Sequence, residues 1–152
     1  MKGHFNSSGK QFICVSSDNR VSLFDTDTQK RRRVYVEKNH LSHSYHCSSW
    51  RNGKNEDLGL FAVGASDGTV IIWDLVRGVV SKVIGQVNES AVPSDIVFAN
   101  DGKSLFVCSE GSSQILQYNV SDGSQLKSLK AGKKGASKMA INPKAGVLAV
   151  AR

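Results

Sequence analysis

The stretch Asp67-Gly68-Thr69-Val70-Ile71-Ile72-Trp73-Asp74 decides the fold. Asp-Gly is a turn pair, because glycine accepts the positive φ that a tight hairpin needs. The β-branched run behind it disfavours helix and suits a strand. Side chains alternate along a strand, so Val70 and Ile72 point one way, and Ile71, Trp73 and Leu75 the other. Both faces are apolar, which places this strand between two packed layers. The same shape recurs on either side. Asp18-Asn19-Arg20-Val21-Ser22-Leu23-Phe24-Asp25 reaches its aromatic–acid end 49 residues earlier, and Gln114-Ile115-Leu116-Gln117-Tyr118-Asn119 reaches its own 45 residues later.

A period in the mid-forties has room for four short strands and their turns, and repeats of that size stack radially as the blades of a propeller. The expected fold is all-β: residues 1–152 form one incomplete propeller domain, about three blades plus the start of a fourth. The blades cover roughly residues 1–37 (partial), 40–84, 92–130 and 137–152 (partial). In the first, Phe5-Asn6-Ser7-Ser8-Gly9 reads as the end of an inner strand and its turn, followed by strands at 11–16, 19–25 and 33–37. The second opens with a strand at 40–50, passes a polar loop at 51–57, and continues at 58–65, 69–75 and 79–84. The third has strands at 94–98, 104–109, 114–120 and 125–129, and the last blade has two, at 138–141 and 147–151. Rings of this kind close with about 4–8 blades. Open faces are therefore expected at both ends of the stack, exposing Ile13, Val15, Phe106, Val107, Val147, Leu148 and Val150.

The composition is that of a folded protein, 39% hydrophobic. Lys and Arg number 20 against 13 Asp and Glu, a net charge of +7, which favours acidic partners such as RNA or an acidic protein segment. Cys14, Cys47 and Cys108 each fall inside a predicted strand. Their number is odd and no Cys-x-x-Cys occurs, which suits buried free thiols in a reducing compartment. No apolar signal follows Met1-Lys2-Gly3-His4, and no run approaches the roughly 18 apolar residues of a membrane helix. The expectation is a soluble, intracellular protein with no membrane contact.

Asn39-His40-Leu41-Ser42, Cys47-Ser48-Ser49-Trp50, Leu60-Phe61-Ala62-Val63-Gly64 and the 67–74 strand together resemble the first complete blade of WD-repeat proteins. More narrowly, the chain is similar to the Utp-five / WD-repeat-protein-forty-three family. That likeness rests on Ser17-x-Asn19-Arg20-Val21 in the first blade, His40-Leu41-Ser42 at the entry to the second, and Asn119-Val120-Ser121-Asp122-Gly123. It implies a subunit of the small-subunit processome, which assembles on nascent pre-ribosomal RNA in the nucleolus. The expected function is then a non-catalytic scaffold in pre-ribosomal RNA processing and ribosome biogenesis, in the nucleus and nucleolus. Its partners would be other protein subunits of a large assembly and pre-ribosomal RNA, with no cofactor and no small-molecule substrate. The family is far longer, with further blades and a helical C-terminal domain, so this chain corresponds to its N-terminal part. Two alternatives stay open: a WD-repeat adaptor of another pathway, ubiquitin-ligase or chromatin, and a truncated, non-functional product of a longer gene.

The resemblance also implies a hydrogen-bonded tetrad, with His40, Asp67 and Trp73 in three of its places. The hydroxyl position, two before the Asp, is Ala65, so the network is incomplete. Asp67 would then be a buried, structural carboxylate.

His40, His43, His46 and Cys47 are the one group that suggests a metal. On a strand His40 and His43 point to opposite sides and cannot reach one ion, so no metal site is expected. Lys30, Arg31, Arg32 and Arg33 form a basic run, either an import address or phosphate contact or a solvated hairpin. Lys127, Lys130, Lys133, Lys134 and Lys138 form a second. It lacks the spacing and final Ser/Thr of a phosphate-binding P-loop, so it suits contact with RNA or an acidic partner, with Lys130, Lys133 and Lys134 at its centre. No aromatic residue is interleaved with these lysines, which argues against stacking on single-stranded bases. No Gly-x-Ser-x-Gly elbow occurs, and no Ser, His and Asp fall in a recognisable catalytic order. An enzyme is not expected.

Overall fold

The computed structural model describes residues 3–51, 58–85, 91–133, 135–142 and 144–151. Among them are fourteen strands and no helix. The first sheet comprises β1 (Gly3–Phe5), β2 (Gln11–Val15), β3 (Val21–Asp25) and β4 (Arg31–Tyr35). The second holds β5 (Tyr45–Arg51), β6 (Leu60–Ala65), β7 (Val70–Asp74) and β8 (Val79–Ile84). The third holds β9 (Pro93–Phe98), β10 (Ser104–Ser109), β11 (Gln114–Asn119) and β12 (Gln125–Lys130). β13 (Lys138–Ile141) and β14 (Leu148–Ala151) pair as a fourth sheet of two strands. Every pairing is antiparallel between chain neighbours, so each sheet is a meander.

Sheet stacking follows from the two-faced strands. Phe61, Val63, Ile71, Trp73 and Leu75 pack on Ile13, Val15, Val21, Leu23 and Tyr35 of the first sheet. From the other face of the same strands, Ala62, Val70 and Ile72 pack on Ile96, Phe98, Leu105, Leu116 and Tyr118 of the third. A third, smaller cluster joins Cys108 and Ile115 to Met139 of the fourth sheet. Each fully buried aliphatic or aromatic side chain contributes about 1.5–3 kcal/mol.

The repeat holds hydrogen bond by hydrogen bond. In each four-stranded sheet the register between the third and fourth strands shifts immediately before the aromatic: Leu23/Phe24, Ile72/Trp73 and Gln117/Tyr118. The next residue, Asp25, Asp74 or Asn119, turns its Oδ1 onto backbone amides of the following turn, those of Thr28, of Val76 and Arg77, and of Ser121. The residue after that, Thr26, Leu75 or Val120, donates its amide to a carbonyl in the turn between the first two strands, Lys10, Gly59 or Lys103. The turn ends on a left-handed residue, Gly78 or Gly123 in the later sheets but Gln29 in the first, at φ 55°.

Several expectations change. The first unit contains all four strands; its innermost has three residues. The strand expected from residue 40 begins at Tyr45, because 40–44 form turns held by the neighbouring sheet. The outer strand of the first sheet is Arg31–Tyr35 rather than 33–37, so Arg31, Arg32 and Arg33 of the basic run lie within a strand instead of a hairpin loop, with Lys30 just before it. Residues 52–57 of the expected polar loop lie outside the described residues. Ile13, Val15 and Val107 are buried between sheets, since they sit on covered faces. The open face of the first sheet instead carries Phe5, Phe12 and Phe24, whose rings stand 4.9 and 6.4 Å apart in sequence along the row. Val147 and Val150 are exposed, as expected.

Two stability measurements test this architecture. Trp73→Ala, at a position 3% exposed against Tyr35, is expected to cost about 3–5 kcal/mol in denaturant unfolding. Gln29→Gly relieves a left-handed side-chain residue and is expected to raise stability by about 0.5–1 kcal/mol.

Candidate interaction surface

Asn19 occupies a left-handed turn position between β2 and β3, with φ 60°, where Gly68 stands in the second sheet at φ 85°. Asparagine tolerates that conformation, and here its amide reaches across to the next sheet. Nδ2 donates to the His40 and His43 carbonyls, both at 2.6 Å, and Oδ1 accepts the Tyr45 amide at 3.1 Å. These three bonds hold the loop that leads into β5. Beside them a cleft of about 190 Å³ opens between the Ser16–Asn19 turn and the start of β5, lined by Ser16, Ser17, Ser44 and His46.

The tetrad implied by resemblance is not assembled. His40 turns its Nδ1 to the Glu37 carbonyl, 2.8 Å away, inside its own loop. The histidine beside Asp67 is His43, at 3.8 Å between Nδ1 and Oδ2. Asp67 is not buried: its side chain is 46% exposed and binds the Thr69 amide and hydroxyl at 3.0 and 2.7 Å, closing the turn before β7. Burial raises its pKa, but the Thr69 bonds and His43 outweigh that and leave the carboxyl below its ordinary value. Trp73 is buried, and its Nε1 has no hydrogen-bond partner. The indole is thus packing surface against Tyr35, and the carboxylate is a turn cap.

Behind His43, the Tyr45 ring lies 5.5 Å from the imidazole, and the Tyr45 hydroxyl is buried with no hydrogen-bond partner. Burial, with Glu37 and Asp67 nearby, pushes the phenol up to about 12. The histidines do not converge: His40 and His43 lie in the loop before β5, and His46 is exposed on that strand. Among the described residues, no three His, Cys, Asp or Glu stand together as a metal site would require.

The first basic run divides in two. Lys30 and Arg31 are exposed. Arg32 pairs with Asp25 at 2.8 Å, and backbone and side-chain bonds from Thr28, with Arg32, hold that carboxyl down at about 2. Arg33 donates to the Leu75 and Val76 carbonyls at 2.9 and 3.1 Å, and the Tyr35 hydroxyl also donates to Leu75, at 2.9 Å. Arg33 is therefore a tie between sheets. In the second run, Lys130 ends the exposed strand β12 and Lys133 follows it, both lining a cleft of about 420 Å³ with Ser113, Gln114 and Gly132. Lys134 lies outside the described residues. The first run lies at β4 of the first sheet and Lys127 and Lys130 lie on β12 of the third, with the second sheet between them, while Lys138 stands on β13 and donates to the Ser94 carbonyl at 3.3 Å, so the fold does not merge the runs into one patch.

Two ties escaped the sequence reading. Asp95, 4% exposed on β9, accepts the Met139 amide at 2.8 Å and so fastens the third sheet to the fourth. Asn19 does the same between the first and second. Its one sequence signal is an asparagine where the repeat otherwise places glycine.

No protein-family model matches the chain, and no curated protein matches its sequence.

Asn19→Gly keeps the turn but removes the clamp, and is expected to cost about 1–2 kcal/mol; Asn19→Ala adds the left-handed strain and costs about 1 kcal/mol more. Denaturant midpoints give both numbers. Tyr45 keeps its proton in the folded chain while the unfolded phenol, near pH 10, loses it. Its contribution to stability is therefore complete below pH 10 and is lost as pH rises toward about 12. Tyr45→Phe is expected to hold or raise stability at pH 7 and to flatten the fall in melting temperature above pH 10.

Proposed function

We propose that this chain is a non-catalytic scaffold built on a WD-repeat propeller, of the small-subunit processome type, acting through protein and RNA contacts in pre-ribosomal RNA maturation. The observation that carries the reading is the threefold equivalence of bulge, aromatic and Asx turn at Phe24-Asp25, Trp73-Asp74 and Tyr118-Asn119. In four-stranded meanders stacked face to face, that recurrence supports reading the sheets as propeller blades. The Trp73-Asp74 pair and the blade pattern around it favour the WD class.

A scaffold role also agrees with the chemistry at the surface. The exposed hydroxyls, carboxylates and amides mostly close turns, as Asp18, Asp67, Asp101 and Asp122 do. The cations Lys30, Arg31, Lys130 and Lys133 point outward on the rim. Under this reading they meet phosphates or acidic side chains of the assembly.

The test is a filter-binding series on a structured pre-ribosomal RNA fragment over a range of salt. Wild type is expected to lose affinity steeply with salt. Lys130→Ala with Lys133→Ala is expected to shrink the slope of log K against log salt by about 0.9 for each phosphate that the variant no longer neutralises. Lys30→Ala with Arg31→Ala probes the other rim in the same way. Slopes identical for wild type and both double variants would remove RNA contact from the proposal. A fluorescent fusion that stays out of the nucleolus would remove the processome and favour an adaptor of another pathway.

A further inference from the structure

β5 carries one residue more than its partner strand. Tyr45 pairs with Ala65 and Cys47 with Gly64, so His46 is left between them as a bulge. An inserted residue breaks the alternation of faces and re-aims a side chain. β9 repeats the device, since Pro93 pairs with Ser109 and Asp95 with Cys108, which leaves Ser94. The two bulged side chains differ in what they meet. Ser94 donates its hydroxyl toward the Cys108 and Ala136 carbonyls, at 3.3 and 3.4 Å, and so joins the third sheet to the segment before β13. His46 is exposed and lines the cleft between the Ser16–Asn19 turn and the start of β5. Its imidazole makes no hydrogen bond with the described residues.

The hydroxyls of Ser17 and Ser44, on the two walls of that cleft, are equally free of internal partners. Ser16 is already engaged, by the Asp18 carboxylate and the Arg20 carbonyl. Val15 and Cys47 add apolar surface. No Asp, Glu, Lys or Arg lines the cleft. The carboxylate nearest in the chain, that of Asp18, is occupied within its own turn by Ser16 and by Arg20 Nε at 3.3 Å. The frame is fixed from the first sheet: Asn19 holds the segment that carries Ser44 and His46 through the His40 and His43 carbonyls and the Tyr45 amide. Little ordering is left for binding to supply.

Volume sets the size of the ligand, and the lining sets its charge. About 190 Å³ is less than the roughly 300–1,000 Å³ of sites that enclose a whole small molecule, and suits a single group the size of a side chain. Two hydroxyls and an imidazole N–H are donors. Facing no carboxylate, they complement an acceptor that carries charge, to which a hydrogen bond is about twice as strong as to a neutral one. A nucleic-acid strand is disfavoured here, because the cleft has no lysine or arginine to neutralise its backbone.

We propose that this cleft is an oxyanion-binding site, in which His46, Ser17 and Ser44 hold one carboxylate or phosphoryl group and Val15 and Cys47 receive the stem that carries it. The site lies at the junction of the first and second sheets, each with its four strands described. The inference rests on that junction and not on the assembly proposed above, so failure of either leaves the other standing.

The probes are acetate, inorganic phosphate, and glycyl-glutamyl-glycine and glycyl-phosphoseryl-glycine blocked at both ends. Each is titrated into the full chain at constant ionic strength and followed by the NMR signals of the His46 ring and the Ser17 and Ser44 amides. Saturable shifts are expected with one of the two tripeptides. A response to the glutamyl peptide and acetate makes the ligand a carboxylate, and a response to the phosphoseryl peptide and phosphate makes it a phosphoryl group. His46→Ala and, separately, Ser17→Ala with Ser44→Ala should each weaken binding by about tenfold or more. The melting temperature should stay where it is, since these side chains make no internal hydrogen bond. Lys130→Ala with Lys133→Ala should leave binding unchanged, which separates the cleft from the charges that the RNA series addresses. Absence of saturable shifts with every probe, an equal response to the neutral glycyl-glutaminyl-glycine, or binding lost only in the lysine variant would overturn the proposal.

Discussion

A strand that is apolar on both faces must be covered on both sides, and the arrangement of this molecule follows from that constraint. β7 is the extreme case: Ile71 and Trp73 meet the first sheet while Val70 and Ile72 meet the third. A two-layer sandwich satisfies one apolar face per strand, and the other must then be polar. Here neither is, so sheets stack in series, each serving as core for two neighbours. The stacking transmits position along the chain. Where Tyr35 lands on Leu75, Arg33 lands on Val76, and the outer strands are set by the turns of the following sheet.

Polar groups in this frame serve geometry. Asp25, Asp74 and Asn119 each cap the turn that follows an aromatic, which stops the third strand at the same depth in three sheets. Asn19, His4 and Asp95 tie neighbouring sheets: Asn19 through the loop before β5, His4 through Ser48 at 2.9 Å and Asp95 through the Met139 amide. A buried polar atom without such a partner costs about 1–3 kcal/mol. The sheets could slide on apolar packing alone; these directional bonds fix their offset. The basic residues divide on the same principle. Arg32, itself 61% exposed, pairs with Asp25, and Arg33 ties its sheet to the next, whereas Lys30, Arg31, Lys130 and Lys133 stand on the surface and lend it positive charge.

Much of this was legible in the chain. The Asp67–Asp74 stretch and its two echoes carry strand identity, turn positions and two-sided burial, because period-2 alternation and Asx–Gly turns are local properties. Turn chemistry at Ala99-Asn100-Asp101-Gly102 likewise marks the join of β9 and β10. The site residues were less legible. The resemblance to WD-repeat blades implied His40 as the partner of Asp67, but the loop is held from outside by Asn19, which presents His43 instead. No local pattern encodes a hydrogen bond between residues 24 positions apart.

The sequence by itself determined an all-β chain of repeating four-stranded meanders, its strand faces and its turns, since each depends on a few adjacent residues. Tertiary structure decided which polar side chains became ties, which cations stayed on the rim, and that Asp67 faces solvent while Asp95 is buried. Those outcomes depend on what the neighbouring sheet brings within about 3 Å, a distance set by stacking and not by position along the chain.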